Sequence, residues 1–455
     1  MSLTNASPEQ AARAAKVSSR TLGVLSEDAR NRALDAIHDA LAAARDDILA
    51  ANAIDLDKAK QSTANGELNP SIYKRLDLSR KGKFDDMLQG IKDVRGLADP
   101  VGRVDLRTEL DDGLILTRQT CPIGVLLIIF EARPEVIANI ASLAIKSANA
   151  AILKGGKEST ESFKVIASTI GKALEATEVP NDSIQLVATR DAIDSLLTLS
   201  QYIDLVIPRG SNELVRHCQT KAHMPVLGHA DGLCALYIHP DADVQMAVNV
   251  VVDSKTDYPA ACNAVETLLV HEDALTTILP SVAKALISKG VTLRCDAESK
   301  SALSSALGDE SSSLQDATDV DYQTEFLDLI LAIKTIKGSP NDASQAIDAA
   351  IEHINTFGSH HTDAIITKSE DVADRFCNGV DAACKYWNAS TRFSDGMRFG
   401  FGTEVGISTN KVHARGPVGL EGLMIHEYRI AGNGQTAAMY GSGGKKFKHA
   451  KLALQ

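Results

Sequence analysis

The sequence predicts an α/β protein with two doubly wound parallel-sheet domains plus a small β element for oligomerisation. Three observations carry that expectation. From Pro122 onward, short apolar runs alternate with stretches whose apolar residues recur three and four apart, the pattern of a parallel sheet covered by helices on both faces. A second series of the same kind begins near Leu233. Ahead of the first series, residues 107–118 hold an Asp112-Gly113 turn between two possible strands, a hairpin signal.

In chain order, residues 7 to about 93 read as helices, Ala-rich with charges on the outward faces. Residues 11–25 carry Arg13, Lys16, Arg20 and several serines, faintly like a transit peptide, but Glu9 and Asp28 bracket them and the spacing reads as a first amphipathic helix. Strands are expected at 123–130, 150–153, 184–187 and 203–207, with helices at 134–148, 159–174, 191–199 and after Ser211. In the second series, strands fall at 234–238, 265–270, 327–333, 364–366 and 382–387, and helices at 244–251, 274–288, 343–353 and 370–377. The Gly- and Lys-rich run 441–448 reads as a frayed end. The domain boundaries that follow are 1–106 with 122–232, then 233–415, with 107–121 and 416–455 forming the β element.

The 455 residues suffice for two full-sized domains, and 44% hydrophobic with 23% charged residues describes a soluble globular chain. No apolar run approaches the ~20 residues a spanning helix needs. A net charge of -12 argues against nucleic-acid or membrane-surface partners, so an anionic substrate needs a local cluster of Arg and Lys. Seven cysteines, scattered without a CxxC pair or zinc spacing, fit free thiols in a reducing, cytoplasmic setting. His360-His361 has no third ligand at matched spacing, so no metal is expected and a strand-edge pair is the better reading.

Two features carry chemistry. Cys262 follows a Pro-containing turn, sits among small residues (Pro259-Ala260-Ala261-Cys262-Asn263-Ala264) and precedes an apolar strand. That setting suits a thiolate whose carbonyl substrate can approach closely, although a lone cysteine also serves as a small apolar residue. Lys154-Gly155-Gly156-Lys157 and Arg209-Gly210-Ser211 each link a strand to a helix, where glycines permit close backbone approach and free N–H groups attract anions. Neither turn matches a GxGxxG or P-loop pattern, but together they lie where open α/β sheets bind ligands.

Beyond these, motifs run nearly end to end: Phe130-Glu131-Ala132-Arg133-Pro134, Leu153-Lys154-Gly155-Gly156, Pro208-Arg209-Gly210-Ser211, the Cys262 segment through Leu269, Thr324-Glu325-Phe326-Leu327, Gly358-Ser359-His360-His361-Thr362-Asp363, Asn388-Ala389-Ser390-Thr391-Arg392-Phe393-Ser394-Asp395-Gly396 and Ala414-Arg415-Gly416-Pro417. In this order they resemble the aldehyde dehydrogenase superfamily and, within it, the gamma-glutamyl phosphate reductase family. The resemblance implies an aldehyde dehydrogenase-like fold, with 1–106 and 122–232 binding NADPH and 233–415 catalytic. It also implies reduction of L-glutamyl 5-phosphate to L-glutamate 5-semialdehyde and phosphate, the second step of proline biosynthesis, in the form that stands apart from the upstream kinase.

Residue by residue, the resemblance makes Cys262 the nucleophile, with its backbone N–H and Asn263 or Asn388 as oxyanion donors; Asn388 reads equally as a cap ending a strand. Lys154 meets the adenosine ribose, and Lys157 stands where NAD-preferring relatives carry Glu, which favours NADPH over NAD. Ser211 is the helix-start residue under the pyrophosphate, or an ordinary N-cap; Gly155, Gly156, Arg209 and Gly210 belong to the same two cofactor-binding turns, and Glu325 meets the nicotinamide ribose. For substrate, Arg133, Lys255, Arg392 and Arg415 are the candidate cations, and Glu131 or Asp395 the partner of the α-ammonium; each also reads as a structural ion pair. The general-base Glu of hydrolytic relatives is missing from the stretch 226–232, which suits a reductase. Family members assemble as dimers or tetramers by adding the hairpin and a late strand, here 425–430, across subunits, and docking with glutamate 5-kinase is a further expectation. An NAD-dependent hydrolytic aldehyde dehydrogenase is the alternative, and a non-catalytic binding protein a third reading.

Overall fold

A computed structural model describes every residue except Met1, Asn5, 67, 69–72, 74, Ala132, 188–191, 339–344 and Gln455. Ala132 in the 130–134 motif, and the expected helix starts at Asp191 and Ala343, lie outside the described residues. The chain forms two compact units, 1–227 with 400–406 and 418–455, and 228–399 with 407–417. The first boundary falls at 227/228 rather than 232/233, so Gly228–Gly232 folds with the second unit, and the β element folds with the first.

In the first unit, α1 (Pro8–Leu22), α2 (Glu27–Ala43), α3 (Arg45–Ala64) and α4 (Lys83–Gly96) fill the expected helical stretch. α1 starts on a Ser7–Gln10 capping box with proline in its first turn, and it buries Ala11, Ala12, Ala15 and Leu22 along one stripe. The strands are β1 (Ser2–Thr4), the hairpin β2 (Val104–Asp111) and β3 (Leu114–Pro122), then β4 (Val125–Phe130), β5 (Ala150–Gly155), β6 (Ile184–Val187) and β7 (Leu205–Arg209). Helices α5 (Val136–Lys146), α6 (Thr160–Leu174), α7 (Ala192–Leu197) and α8 (Asn212–Lys221) follow β4 to β7 in turn. The sheet order is β1-β6-β5-β4-β7, all parallel. Every residue of β4 is buried, as a strand covered on both faces requires. Order reverses between β4 and its two neighbours β5 and β7, which brings Phe130, Gly155 and Arg209 level at one edge.

The hairpin belongs to a four-stranded antiparallel sheet in which Met424–Ala431 pairs with β3 and Ala450–Lys451 with β2. Here the late strand pairs with its own chain's hairpin, Tyr428 opposite Arg118. The expected frayed end is also corrected. Lys448 donates its N–H to the Leu110 carbonyl, and the Tyr440 and Phe447 rings stack 4.3 Å apart.

The second unit holds β8 (Cys234–Ile238), α9 (Val244–Thr256), β9 (Val265–His271), α10 (Leu279–Ser288), β10 (Thr292–Cys295), α11 (Ala297–Leu307), β11 (Leu314–Asp316), β12 (Ile330–Ile336), α12 (Gln345–Phe357), β13 (Thr362–Ile366), α13 (Glu370–Gly379) and β14 (Cys384–Trp387). Its parallel sheet runs β11-β10-β12-β9-β8-β13-β14, with β8, β9 and β13 buried throughout. The strand expected at 327–333 starts three residues later because Leu327 adopts φ 54, a left-handed kink that an extended strand excludes. β10 and β11, too short and mixed to stand out as apolar runs, were not expected. No helix among the described residues is long and apolar enough to cross a membrane.

Candidate active site

Each unit brings chemistry-bearing residues to one sheet edge. At the C-terminal edge of the first sheet, Glu131, Lys154, Gly155, Gly156, Lys157 and Thr160 line a cleft of about 410 Å³. A Cβ on Gly155 would fall inside the Phe163 ring, and one on Gly210 would meet the Glu131 carboxylate and Leu214, so both glycines hold backbone where side chains have no room. Lys154 Nζ donates to the Gly155 carbonyl at 2.7 Å, while Lys157 is exposed at the rim. Ser211 is the N-cap of α8, its Oγ accepting from the Leu214 N–H, and Arg209 reaches the Glu404 carbonyl at 3.5 Å. Glu131 does not wait free for a substrate ammonium: its carboxylate accepts the Ser211 N–H at 2.9 Å and so caps α8. Arg133, half-buried, sits on the turn that leads into α5.

The second assembly lies at the opposite kind of edge. Cys262 is half-buried on the turn before β9, Cys234 opens β8, and His361 directly precedes β13, all at strand N-termini. One ring nitrogen of His229, one of His361 and the Cys262 sulfur lie within 4.8 Å of one another. His229 Nδ1 donates to the Ile407 carbonyl at 2.8 Å, and His361 Nδ1 pairs with Thr362 Oγ1 at 2.8 Å. Thr362 Oγ1 meets Ser394 Oγ at 2.7 Å, which meets the Tyr386 hydroxyl at 2.7 Å, a buried chain of hydroxyls ending on His361. His361 is fully buried, and its Nε2 has no hydrogen-bond partner. The Cys234 thiol donates to the Cys262 carbonyl at 3.3 Å, and burial pushes its pKa well above the usual range.

Glu325 joins this edge. A Cβ on Gly232 would run into the Cys262 carbonyl and Cα and the Glu325 carboxylate, so Gly232 lets the three segments close together. Burial raises the Glu325 pKa against a hydrogen bond from the Gly232 N–H. Asn263 is buried and spends its amide on the following loop, donating to the Ser394 carbonyl at 2.8 Å and accepting from Arg392. Arg392 also reaches Asp257 at 3.1 Å, as does Arg398 at 3.2 Å, which makes it the one expected substrate cation tied directly to the residue after Cys262.

Other expected site residues are engaged elsewhere. Asn388 caps the far end of β13: its Oδ1 accepts the Thr367 N–H and its Nδ2 donates to the Thr367 carbonyl. The five residues of β13 put that cap roughly 16 Å along the strand from His361, so the oxyanion role does not fit. Lys255 is fully buried, 2.6 Å from a buried Glu266, with no exposed ammonium for a substrate. Asp395 caps the turn at Met397 and Arg398, and Arg415 pairs with Asp381 at 2.8 Å beside Lys411. Sequence reasoning passed over His229, His361 and Asp257. His361 was read as half of a strand-edge pair, but only His360 is partly exposed, and no linear spacing connects 229, 262 and 361.

The comparisons agree along the chain. The aldehyde dehydrogenase family model matches residues 2–299. A relative from Schizosaccharomyces pombe, named a probable gamma-glutamyl phosphate reductase, is 52% identical over 98% of this chain and 97% of its own. A gamma-glutamyl phosphate reductase from Saccharomyces cerevisiae is 47% identical over 99% of each. This chain belongs to the gamma-glutamyl phosphate reductase family. The crystal structure of the family member from Thermotoga maritima, 36% identical, superposes with a TM-score of 0.86 over 95% of this chain and all of that one. The aldehyde dehydrogenase fold brings a nicotinamide cofactor with it, and the Gly155 and Gly210 cradles suit the close approach of a dinucleotide backbone.

Proposed function

We propose that this chain reduces L-glutamyl 5-phosphate to L-glutamate 5-semialdehyde and phosphate, the second step of proline biosynthesis, through a thioester on Cys262. The observation that carries this reading is a half-buried thiol on a turn of small residues with two imidazole nitrogens beside it, in a chain whose full-length relatives are named for that reaction. The Cys262 sulfur attacks the acyl carbonyl, its proton passes to the neighbouring imidazole, and the C–O bond to phosphate breaks as the thioester forms. The Cys262 N–H faces the developing oxyanion, and Asn263 positions that turn through Ser394 and Arg392 rather than donating to the substrate. NADPH, when bound, would supply the hydride that takes the thioester to aldehyde and thiolate. Lys154, Gly155, Gly156, Lys157 and Ser211 bind it, the exposed Lys157 favouring the 2′-phosphate, and Glu325 orients the nicotinamide ribose. Arg392 is the leading anchor for an anionic group of the substrate.

Self-association as a dimer or tetramer belongs to the same reading, supported by Ile425, Tyr428 and Ile430 standing exposed on the late strand. Turnover is tested in reverse, because acyl phosphates are labile: NADPH formation from glutamate semialdehyde is followed with and without inorganic phosphate. Activity should require phosphate and should fall at least 10³-fold in Cys262→Ala. Phosphate-independent oxidation with NAD, yielding free acid, would establish the hydrolytic alternative instead.

A further inference from the structure

We infer that Cys262, His229 and His361 form a capture site for a soft divalent cation of the zinc class, whose binding closes the nucleophile. The three donors are sulfur and two imidazole nitrogens, the set that zinc prefers, gathered within 4.8 Å from segments 33 and 99 residues apart in sequence. Both rings are held through Nδ1, as metal-bound histidines commonly are. His229 Nδ1 donates to the Ile407 carbonyl, which leaves its Nε2 as the free lone pair, and His361 Nδ1 meets the Thr362 hydroxyl, which leaves its Nε2 without a partner.

A second observation points to a ligand in this place. His361 is fully buried, yet its Nε2 finds no partner, an unusual state for a polar atom that water does not reach. Cys262 and His229 are half-buried, which leaves the fourth tetrahedral position open to water or to a substrate oxygen. With bond lengths of about 2.0 Å to nitrogen and 2.3 Å to sulfur, ligand atoms around zinc lie closer together than 4.8 Å, so capture draws the donors inward, and the Cys262 turn and the His229 loop are the segments free of regular structure. The balance is simple. The thiol proton leaves to solvent, a sulfur–metal bond forms, and no electrons are transferred. Occupied, the sulfur no longer attacks a carbonyl.

The full-length chain, without an affinity tag and without substrate, is titrated with Co²⁺. The expected result is one equivalent bound with a thiolate-to-cobalt charge-transfer band in the near ultraviolet, displaced by Zn²⁺. Cys262→Ser should remove the band, and His229→Ala and His361→Gln should each weaken binding at least tenfold. His229→Ala keeps the test informative should His361→Gln fold poorly. Absence of the band, its persistence in Cys262→Ser, or unchanged affinity in His229→Ala would overturn the site. The binding spectrum needs no turnover, so a failed reductase assay leaves this result standing, and a missing band beside normal, zinc-insensitive turnover sinks only the capture site.

Discussion

The C-terminal edge of the first sheet and the N-terminal edge of the second solve different problems. At the first, β5 and β7 lead within a few residues into helices, so one short segment supplies the glycine and the cation beside a helix start, as in 154–160 and 209–212. At the second, strands begin rather than end, and the site is assembled from the loops that enter β8, β9 and β13. The first edge needs close backbone approach. The second needs several buried polar groups to be mutually satisfied, which makes it the more fragile of the two.

The largest expected effect tests that fragility. Lys255 and Glu266 lie under the second edge as a fully buried pair at 2.6 Å, with burial pushing Lys255 down and Glu266 up to about 7. Each is the other's partner in place of water, and Glu266 also accepts the Leu327 N–H. Glu266→Gln strands the lysine and should cost on the order of 3–5 kcal/mol, read as a lowered urea midpoint. Replacing both, as Lys255→Met with Glu266→Leu, should recover most of that loss. If Glu266→Gln melts like the parent chain, the second edge does not rest on this pair.

The two glycines separate the edges functionally. Gly232→Ala pushes on the Cys262 backbone and the Glu325 carboxylate, so kcat should fall roughly 10–100-fold, more than dinucleotide affinity does, because misplacing a nucleophile by under an ångström is enough. Gly155→Ala displaces the Phe163 ring, which packs edge-on against Phe130, and should weaken dinucleotide binding while leaving the alkylation rate of Cys262 unchanged. Fluorescence titration and iodoacetamide kinetics read the two quantities independently. Swapped outcomes would mean that the edges are coupled.

This division also explains what the sequence made legible. The parallel sheets, the hairpin, the two glycine turns and Cys262 were readable because each is a local pattern: an apolar run, an Asp-Gly turn, a small-residue neighbourhood. What stayed hidden is pairing at long range. His361 was set aside because its partners, His229 and Cys262, are distant in sequence. Lys255, Arg415 and Asn388 passed as substrate or catalytic groups because Glu266, Asp381 and Thr367, which absorb them, are named by the fold rather than by any spacing. The early start expected for β12 has the same origin, since nothing in Glu325-Phe326-Leu327 announces a left-handed residue.

A smaller effect tests cofactor choice at the first edge. Lys157 is exposed on the cleft rim, so its influence is electrostatic and can be inverted without disturbing packing. Lys157→Glu should shift the ratio of kcat/KM for NADPH over NADH toward NADH by about tenfold, roughly 1.4 kcal/mol, with less effect at high salt. An unchanged ratio would move 2′-phosphate recognition to another residue of the rim.

The smallest expected effect separates burial from function among the histidines of the second unit. His353, on α12, is buried like His361 but packs against the Tyr322 and Phe357 rings, 5.7 and 4.8 Å away, far from any nucleophile in sequence or contact. Burial lowers its pKa to about 4, with Lys334 adding to the shift. Between that value and the unfolded pKa of about 6.5, the unfolded chain binds a proton that the folded chain refuses, so stability is complete above 6.5 and declines as the pH falls toward 4. From pH 7 to 5.5 the loss should be about 1 kcal/mol, and His353→Leu should remove that part of the slope while leaving turnover unchanged. Because His361 ends a hydroxyl chain beside a thiol, replacing it should change the chemistry of Cys262 first; an identical response of both histidines, in stability alone, would reduce His361 to packing.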